Sequence, residues 1–178
     1  MVKVLVTKEN WKALKAYKGL EKENFILSCV HITKDHIEVT NGRTLLRISS
    51  GKTGINVPEG VYKAIAENKH NKIFVEVVLE KIDGEYPRTD IFFNDLSKLS
   101  KKHCGQVTDE VSISRLMLNL FEYTGNAFSY KYLKDLSGLS VQWEMHKGKK
   151  NNPCMLSAKD YNFLCMPFVY DPITVASH

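Results

Sequence analysis

The sequence lacks any run of apolar residues long enough to cross a membrane. Its longest apolar stretch, residues 161–170, falls well short of the roughly 20 that a spanning helix needs. The start, Met1-Val2-Lys3-Val4-Leu5-Val6, reads as a strand and has neither the apolar region nor the cleavage site of a signal peptide. These two absences set the expectation of a cytoplasmic protein with no membrane partner. Cysteine is scarce: Cys29, Cys104, Cys154 and Cys165 form no CxxC pair, so a zinc site has no support. Cys29 and Cys165 lie in apolar stretches and read as small buried hydrophobes. The one His/Cys neighbour pair, His103-Cys104, points its side chains in different directions in any regular structure and makes a poor dyad. The Gly-rich phosphate loop, GxSxG, HExxH and paired carboxylates on an apolar helix face are all missing. No cofactor is implied, and a binding protein is favoured over an enzyme.

What is present is a chain of 178 residues, 43% hydrophobic and 25% charged, enough for one large domain or two small ones. The net charge is +5, held mainly in the first half: residues 1–83 carry 14 Lys and Arg against 10 Asp and Glu, residues 84–178 carry 11 against 10. Such a mild excess permits nucleic-acid contact without requiring it.

Along the chain, residues 2–6 read as a strand. Thr7 is a helix N-cap for residues 8–18, with Gly19 as the stop. Trp11, Leu14 and Tyr17 face inward; Lys8, Lys12 and Lys15 share the other face, as a solvated surface or a phosphate-tracking one. Residues 24–33 and 36–40 read as strands. Asn41-Gly42 is a hairpin turn to residues 43–49. Residues 53–57 are read as a further strand, Pro58 as the first residue of a helix reaching about residue 68, and residues 72–82 as a β-branched strand. Residues 84–110 look irregular, apart from a short polar helix at 95–102. Residues 111–123 alternate well enough to be read as a strand, 129–137 as a helix stopped by Gly138, and 140–146, 155–157 and 161–170 as strands. Residues 147–152 form a basic loop, and fraying is expected at the C-terminus. Because it contains Pro167, the stretch 161–170 belongs at a sheet edge or a strand end.

Four segments in order resemble the bacterial sliding clamp family, the DNA polymerase III beta subunit. Val39-Thr40-Asn41-Gly42-Arg43-Thr44-Leu45-Leu46 is similar to the family's strand–turn–strand "TDGxRL". Ile55-Asn56-Val57-Pro58-Glu59-Gly60-Val61 is similar to its "vP" segment, and Asp83-Gly84-Glu85-Tyr86-Pro87 to its interdomain "dGxFPdy". Phe128-Ser129-Tyr130-Lys131-Tyr132-Leu133 and residues 161–168 are similar to its "FNxxYL" and terminal "YxxMPM". Asn41 stands where Asp is usual, the chain is shorter than the family, and the family's first domain has no counterpart.

The resemblance implies an α+β, DNA-clamp-like fold of β-α-β-β-β units with helices packed on antiparallel sheets. It divides the chain into residues 1–83, resembling the family's middle domain, a connector at 84–110, and residues 111–178, resembling a reduced C-terminal domain. The function it implies is that of a DNA-associated processivity or docking factor, which takes short apolar peptide motifs from polymerases or other replication proteins in an interdomain groove. Carried over by position, that groove is lined by Thr40, Gly42, Arg43, Leu45, Pro87, Ser129, Tyr132, Pro153, Leu164, Met166 and Pro167. The helix face toward duplex DNA carries Lys8, Lys12, Lys15, Lys63, Lys131 and Lys134. Homo-oligomerisation stays open. So do two alternatives: a stand-alone peptide-binding adaptor with no DNA ring, and a small hydrolase or nuclease with no recognisable motif.

Overall fold

Strand alternation sets the architecture. In the strands Val2–Thr7, Val30–Ile32, His36–Thr40, Phe74–Ile82 and Gln142–His146 one parity is apolar and buried while the other is mostly polar or more exposed, so the sheet acquires one face that needs a cover. The computed structural model describes residues 1–96, 98–148 and 151–168. It contains β1 (Val2–Thr7), α1 (Lys8–Tyr17), β2 (Val30–Ile32), β3 (His36–Thr40), β4 (Thr44–Ser49) and α2 (Ser50–Thr53). There follow β5 (Gly60–Lys69), β6 (Phe74–Ile82), α3 (Asp90–Leu96) and β7 (Lys101–Gln106). The chain continues with α4 (Glu110–Thr124), α5 (Tyr130–Leu133), β8 (Gln142–His146), β9 (Cys154–Ala158) and β10 (Tyr161–Cys165).

The strands form one antiparallel sheet in the order β1-β6-β5-β2-β3-β4-β10-β9-β8-β7. The antiparallel sheets of the two units are thus fused into one, and the fusion is the β4–β10 ladder from Tyr161↔Ile48 to Cys165↔Thr44. Ile37, Val39, Leu46, Ile48, Phe163, Cys165, Trp143 and Met145 all point to the covered face and are 0% exposed. Each fully buried side chain of this kind contributes roughly 1.5–3 kcal/mol. The cover is helical. On α1, Trp11, Ala13, Leu14 and Tyr17 are buried, and Thr7 Oγ1 accepts from Asn10 N at 3.2 Å as the N-cap. On α4, Ile113, Leu116 and Leu120 are buried.

Several sequence expectations are overturned. Residues 111–123 are helical, within α4, which opens on a capping box between Asp109 and Ser112 and ends at Gly125 with φ +71°. The helix packs on the sheet rather than extending it. Residues 60–69 are a strand, not a helix after Pro58, because β5 pairs with β6 from Val61 to Lys69 across one irregularity at Ala64/Ala66. Residues 53–57 are no strand: α2 ends there and irregular chain follows. Of residues 24–33 only β2 is strand, preceded by a 3-10 turn at Ile26–Ser28. The connector is more ordered than expected, holding α3 and β7, and the helix lies at Asp90–Leu96, ahead of the expected 95–102. Residues 129–137 are α5 followed by a 3-10 turn at Lys134–Gly138. β10 stops at Cys165 and is central in the sheet, with Pro167 beyond its end. The rest of the expected strand, Val169 and Tyr170, the expected C-terminal fraying, and Lys149 and Lys150 of the basic loop lie outside the described residues.

Candidate functional site

Seven of the eleven predicted groove residues gather on the sheet face opposite the helices, around the β3–β4 hairpin. Asn41 Oδ1 accepts from Arg43 N at 2.9 Å and Thr44 N at 2.8 Å, and Thr40 Oγ1 donates to Thr44 O at 2.6 Å. Gly42, at φ +80°, takes the left-handed step that this turn requires. Gly19 approaches so closely that a Cβ there would lie 2.9 Å from Leu27 Cβ, and its amide reaches Leu27 O at 2.7 Å and Thr40 O at 3.1 Å. The turn is therefore tied to the end of α1. Beyond β10 the ladder continues for one more bond, Met166 N to Arg43 O at 2.9 Å, which places Met166 beside the turn.

Thr40, Gly42, Arg43, Leu45, Pro87, Leu164 and Met166 line one cleft of about 200 Å3. Four further residues, Leu27, Thr44, Thr89 and Phe92, line it without having been anticipated. Leu45 and Leu164 make a buried floor, 3% and 4% exposed, while Met166 and Phe92 are accessible at 36% and 41%. The cleft is smaller than the roughly 300–1,000 Å3 of small-molecule pockets and suits one or two apolar side chains. The other four anticipated residues lie elsewhere. Ser129 is the N-cap of α5, Pro153 precedes β9, and Pro167 is buried past Met166. Tyr132 lines a second, more polar cleft of about 490 Å3 together with Lys131, Lys134 and Asp135, and Arg43 lines both clefts.

The wall carrying Pro87, Thr89 and Phe92 is fastened by a buried ionic network. His31, Glu38 and Arg47 are successive cross-strand partners on β2, β3 and β4. Glu38 is 1% exposed. It accepts from Arg47 Nε at 2.7 Å and Thr89 Oγ1 at 2.8 Å, with His31 Nδ1 at 2.8 Å and His36 Nε2 farther off at 3.5 Å. Arg47 also donates to Thr89 and Asp90, each at 2.7 Å, and its guanidinium lies 4.1 Å from the Phe93 ring centre. Tyr86 stacks on His31 with ring centres 4.7 Å apart. Burial pushes the Glu38 carboxyl up, but the contacts from His31, His36 and the Arg47 charge outweigh it and hold the group well below the usual carboxylate range. This is a structural clasp between the connector and the sheet.

Of the predicted DNA-facing lysines, Lys8, Lys12 and Lys15 are exposed on α1, and Lys15 Nζ lies 2.6 Å from Glu67. Lys63 is on a strand rather than a helix and pairs with Glu21 at 2.8 Å. Lys131 and Lys134 are exposed on α5 and the turn after it. The four cysteines are unpaired thiols. Burial pushes Cys165 up to about 12, and burial with the Glu144 charge does the same to Cys104, so neither is a thiolate at neutral pH. Among the described residues no group of three or more His, Cys, Asp or Glu is placed to hold a metal, and no helix is long and apolar enough to cross a membrane.

No protein-family model matches the chain, and comparison with curated proteins finds no match. Solved structures do match. The DNA polymerase III beta subunit of Borrelia burgdorferi, solved with a natural product, aligns with 96% of this chain and 65% of its own, at TM-score 0.57 and 13% identity. The beta subunit of Streptococcus pyogenes aligns with 96% of this chain and 66% of its own, at TM-score 0.55 and 12% identity. The sliding clamp of Bacillus subtilis aligns with 96% and 65%, at TM-score 0.55 and 11% identity. The chain therefore has the fold of the bacterial DNA polymerase III beta sliding clamps, and spans about 65% of the length of the solved clamps that it matches.

Proposed function

We propose that the chain is a clamp-like, DNA-associated docking factor that binds short apolar peptide motifs of partner proteins. The observation that carries this reading is the convergence of residues from the β3–β4 turn, the connector and the end of β10 on one apolar cleft, in a protein with the clamp fold. An accessible apolar cleft on an otherwise polar face is the usual mark of a partner site. Its two rigid leucines form a floor, and the thioether of Met166 adapts to the shape of an anchor. The partners are polymerases or other replication proteins, as the resemblance implies, and the role is non-catalytic. Lys8 and Lys12, exposed and without ion pairs among the described residues, contribute a phosphate-tracking face on the helical side of the sheet.

The test is titration of a labelled peptide carrying adjacent Leu and Phe anchors, read by fluorescence anisotropy. Saturable binding that is lost when the cleft is blocked supports the reading; absence of binding at high micromolar protein ends it. The stand-alone adaptor is the second reading. It is favoured by the Lys15–Glu67 and Lys63–Glu21 pairs, which neutralise two of the six lysines assigned to DNA. Peptide binding without any salt-sensitive duplex binding selects it.

A further inference from the structure

The second cleft, between the end of α1, the β3–β4 turn and α5, is built unlike the first. Lys18, Arg43, Lys131 and Lys134 line it against Glu23 and Asp135, a formal excess of two positive charges. Among the described residues the side chains of Arg43, Lys131 and Lys134 make no ion pair, whereas Lys3, Lys15, Lys63 and Lys101 each do. The wall also contains Tyr17, 2% exposed, whose hydroxyl has no hydrogen-bond partner among the described residues. One feature opposes an anion here: α1 ends at the cleft, and its last carbonyls present roughly half a negative charge. That is smaller than the excess of two.

Arg43 connects the two clefts, since it lines both. An extended peptide anchored by apolar side chains over Leu45 and Met166 that continues past Arg43 enters the basic cleft within a few residues. We infer that the cleft around Arg43, Lys131 and Lys134 is an acidic-residue subsite of the docking groove, so that the partner's peptide carries Asp or Glu on the flank that crosses Arg43. This rests on the peptide-docking reading above. It assigns Lys131 and Lys134 to partner recognition rather than to DNA, and it explains why Tyr132, anticipated in the groove, stands in the second cleft.

The experiment compares three labelled peptides with the same Leu and Phe anchors, flanked on both sides by Asp-Asp, by Asn-Asn or by Lys-Lys. They are titrated against the full chain at low and at high salt. The expected order is Asp, Asn, Lys, with the acidic flank tightening binding about fivefold over the neutral one at low salt and the advantage shrinking at high salt. In the Lys131→Gln/Lys134→Gln variant the acidic-to-neutral ratio falls to about one. In a charge-matched control, Lys34→Gln/Lys52→Gln, it stays near five, which separates the cleft from the overall positive charge. Equal binding of the acidic and neutral peptides, or an advantage that survives in Lys131→Gln/Lys134→Gln, overturns the subsite and leaves the apolar groove standing. Failure of all three peptides to bind overturns both.

Discussion

Leu45 on β4 and Leu164 on β10 are direct partners across the ladder that fuses the two halves of the sheet, and the same pair floors the apolar cleft. The cleft thus exists only when residues 44–49 and 161–165 are paired. Its floor and rim should respond differently to truncation. Leu164→Ala removes a side chain that is 4% exposed and should destabilise the fold by about 2–3 kcal/mol through lost burial and the cavity left behind. Chemical denaturation checks it; a change below half a kcal/mol would mean that the floor is not packed.

Met166 belongs to the rim. At 36% exposed it contributes little to folding but is available to a bound anchor. Met166→Ala should weaken binding of the neutral-flanked Leu/Phe peptide by about 1–2 kcal/mol, the scale for an interface anchor, while leaving the denaturation midpoint nearly unchanged. Phe92→Ala should behave in the same way, since α3 supplies the opposite wall. Unchanged affinity in both variants places the peptide elsewhere.

The Glu38 clasp predicts a pH dependence of definite sign. The folded-state carboxyl lies below its ordinary value of 4.5, so the network contributes fully above about pH 4.5. The contribution is lost as the pH falls from there toward the lowered folded value. Glu38→Gln should destabilise the protein by about 3 kcal/mol at pH 7, toward the low end for breaking a buried pair because Asp90 still holds Arg47. More telling, the variant should lose less stability than the wild type between pH 5 and pH 3. Parallel acid limbs in the two proteins would show that Glu38 does not carry the acid sensitivity.

What was legible in the sequence follows the range of the interactions. Apart from residues 24–29, the first unit through β4 was readable because its signals are local: the Thr7 cap, the Asn41-Gly42 turn and the alternation of Ile37, Val39, Leu46 and Ile48. α4 was misread because Leu118 and Phe121, 57% and 55% exposed, add apolar residues to its outer face and blur the spacing of Ile113, Leu116 and Leu120. The Asp109–Ser112 capping box was the signal to weigh. β5 was misread because Ala64, Ala66 and the lysines suit a helix, and only the long-range partner β6 makes it a strand. The seven anticipated lining residues of the apolar cleft came only from the resemblance to the clamp family, not from composition or periodicity. Phe92 and Thr89 were invisible because the connector is held down by Glu38 and Arg47, and that contact crosses more than 40 positions of sequence.

For duplex binding, lysine pairing decides which positions should matter. Lys8 and Lys12 are exposed on one face of α1 and have no ion-pair partner among the described residues, whereas Lys15 is held by Glu67 and Lys63 by Glu21. A phosphate would have to displace those carboxylates, and the gain would be small. If α1 tracks phosphates, Lys8→Glu/Lys12→Glu should therefore abolish most of the salt-sensitive affinity, and Lys63→Glu should change it little. Each lost phosphate contact lowers the log–log salt slope by about 0.9, so the milder Lys8→Gln/Lys12→Gln should reduce its magnitude by about two. The measurement is duplex affinity across 20–200 mM salt, run alongside sedimentation to fix the assembly state. Neither variant should alter the thermal midpoint, since both side chains point to solvent. A wild-type protein with no duplex affinity at the lowest salt, in whatever assembly state it adopts, removes the DNA role and leaves the peptide-binding adaptor. An equal loss from Lys63→Glu would instead move the phosphate face from α1 toward β5.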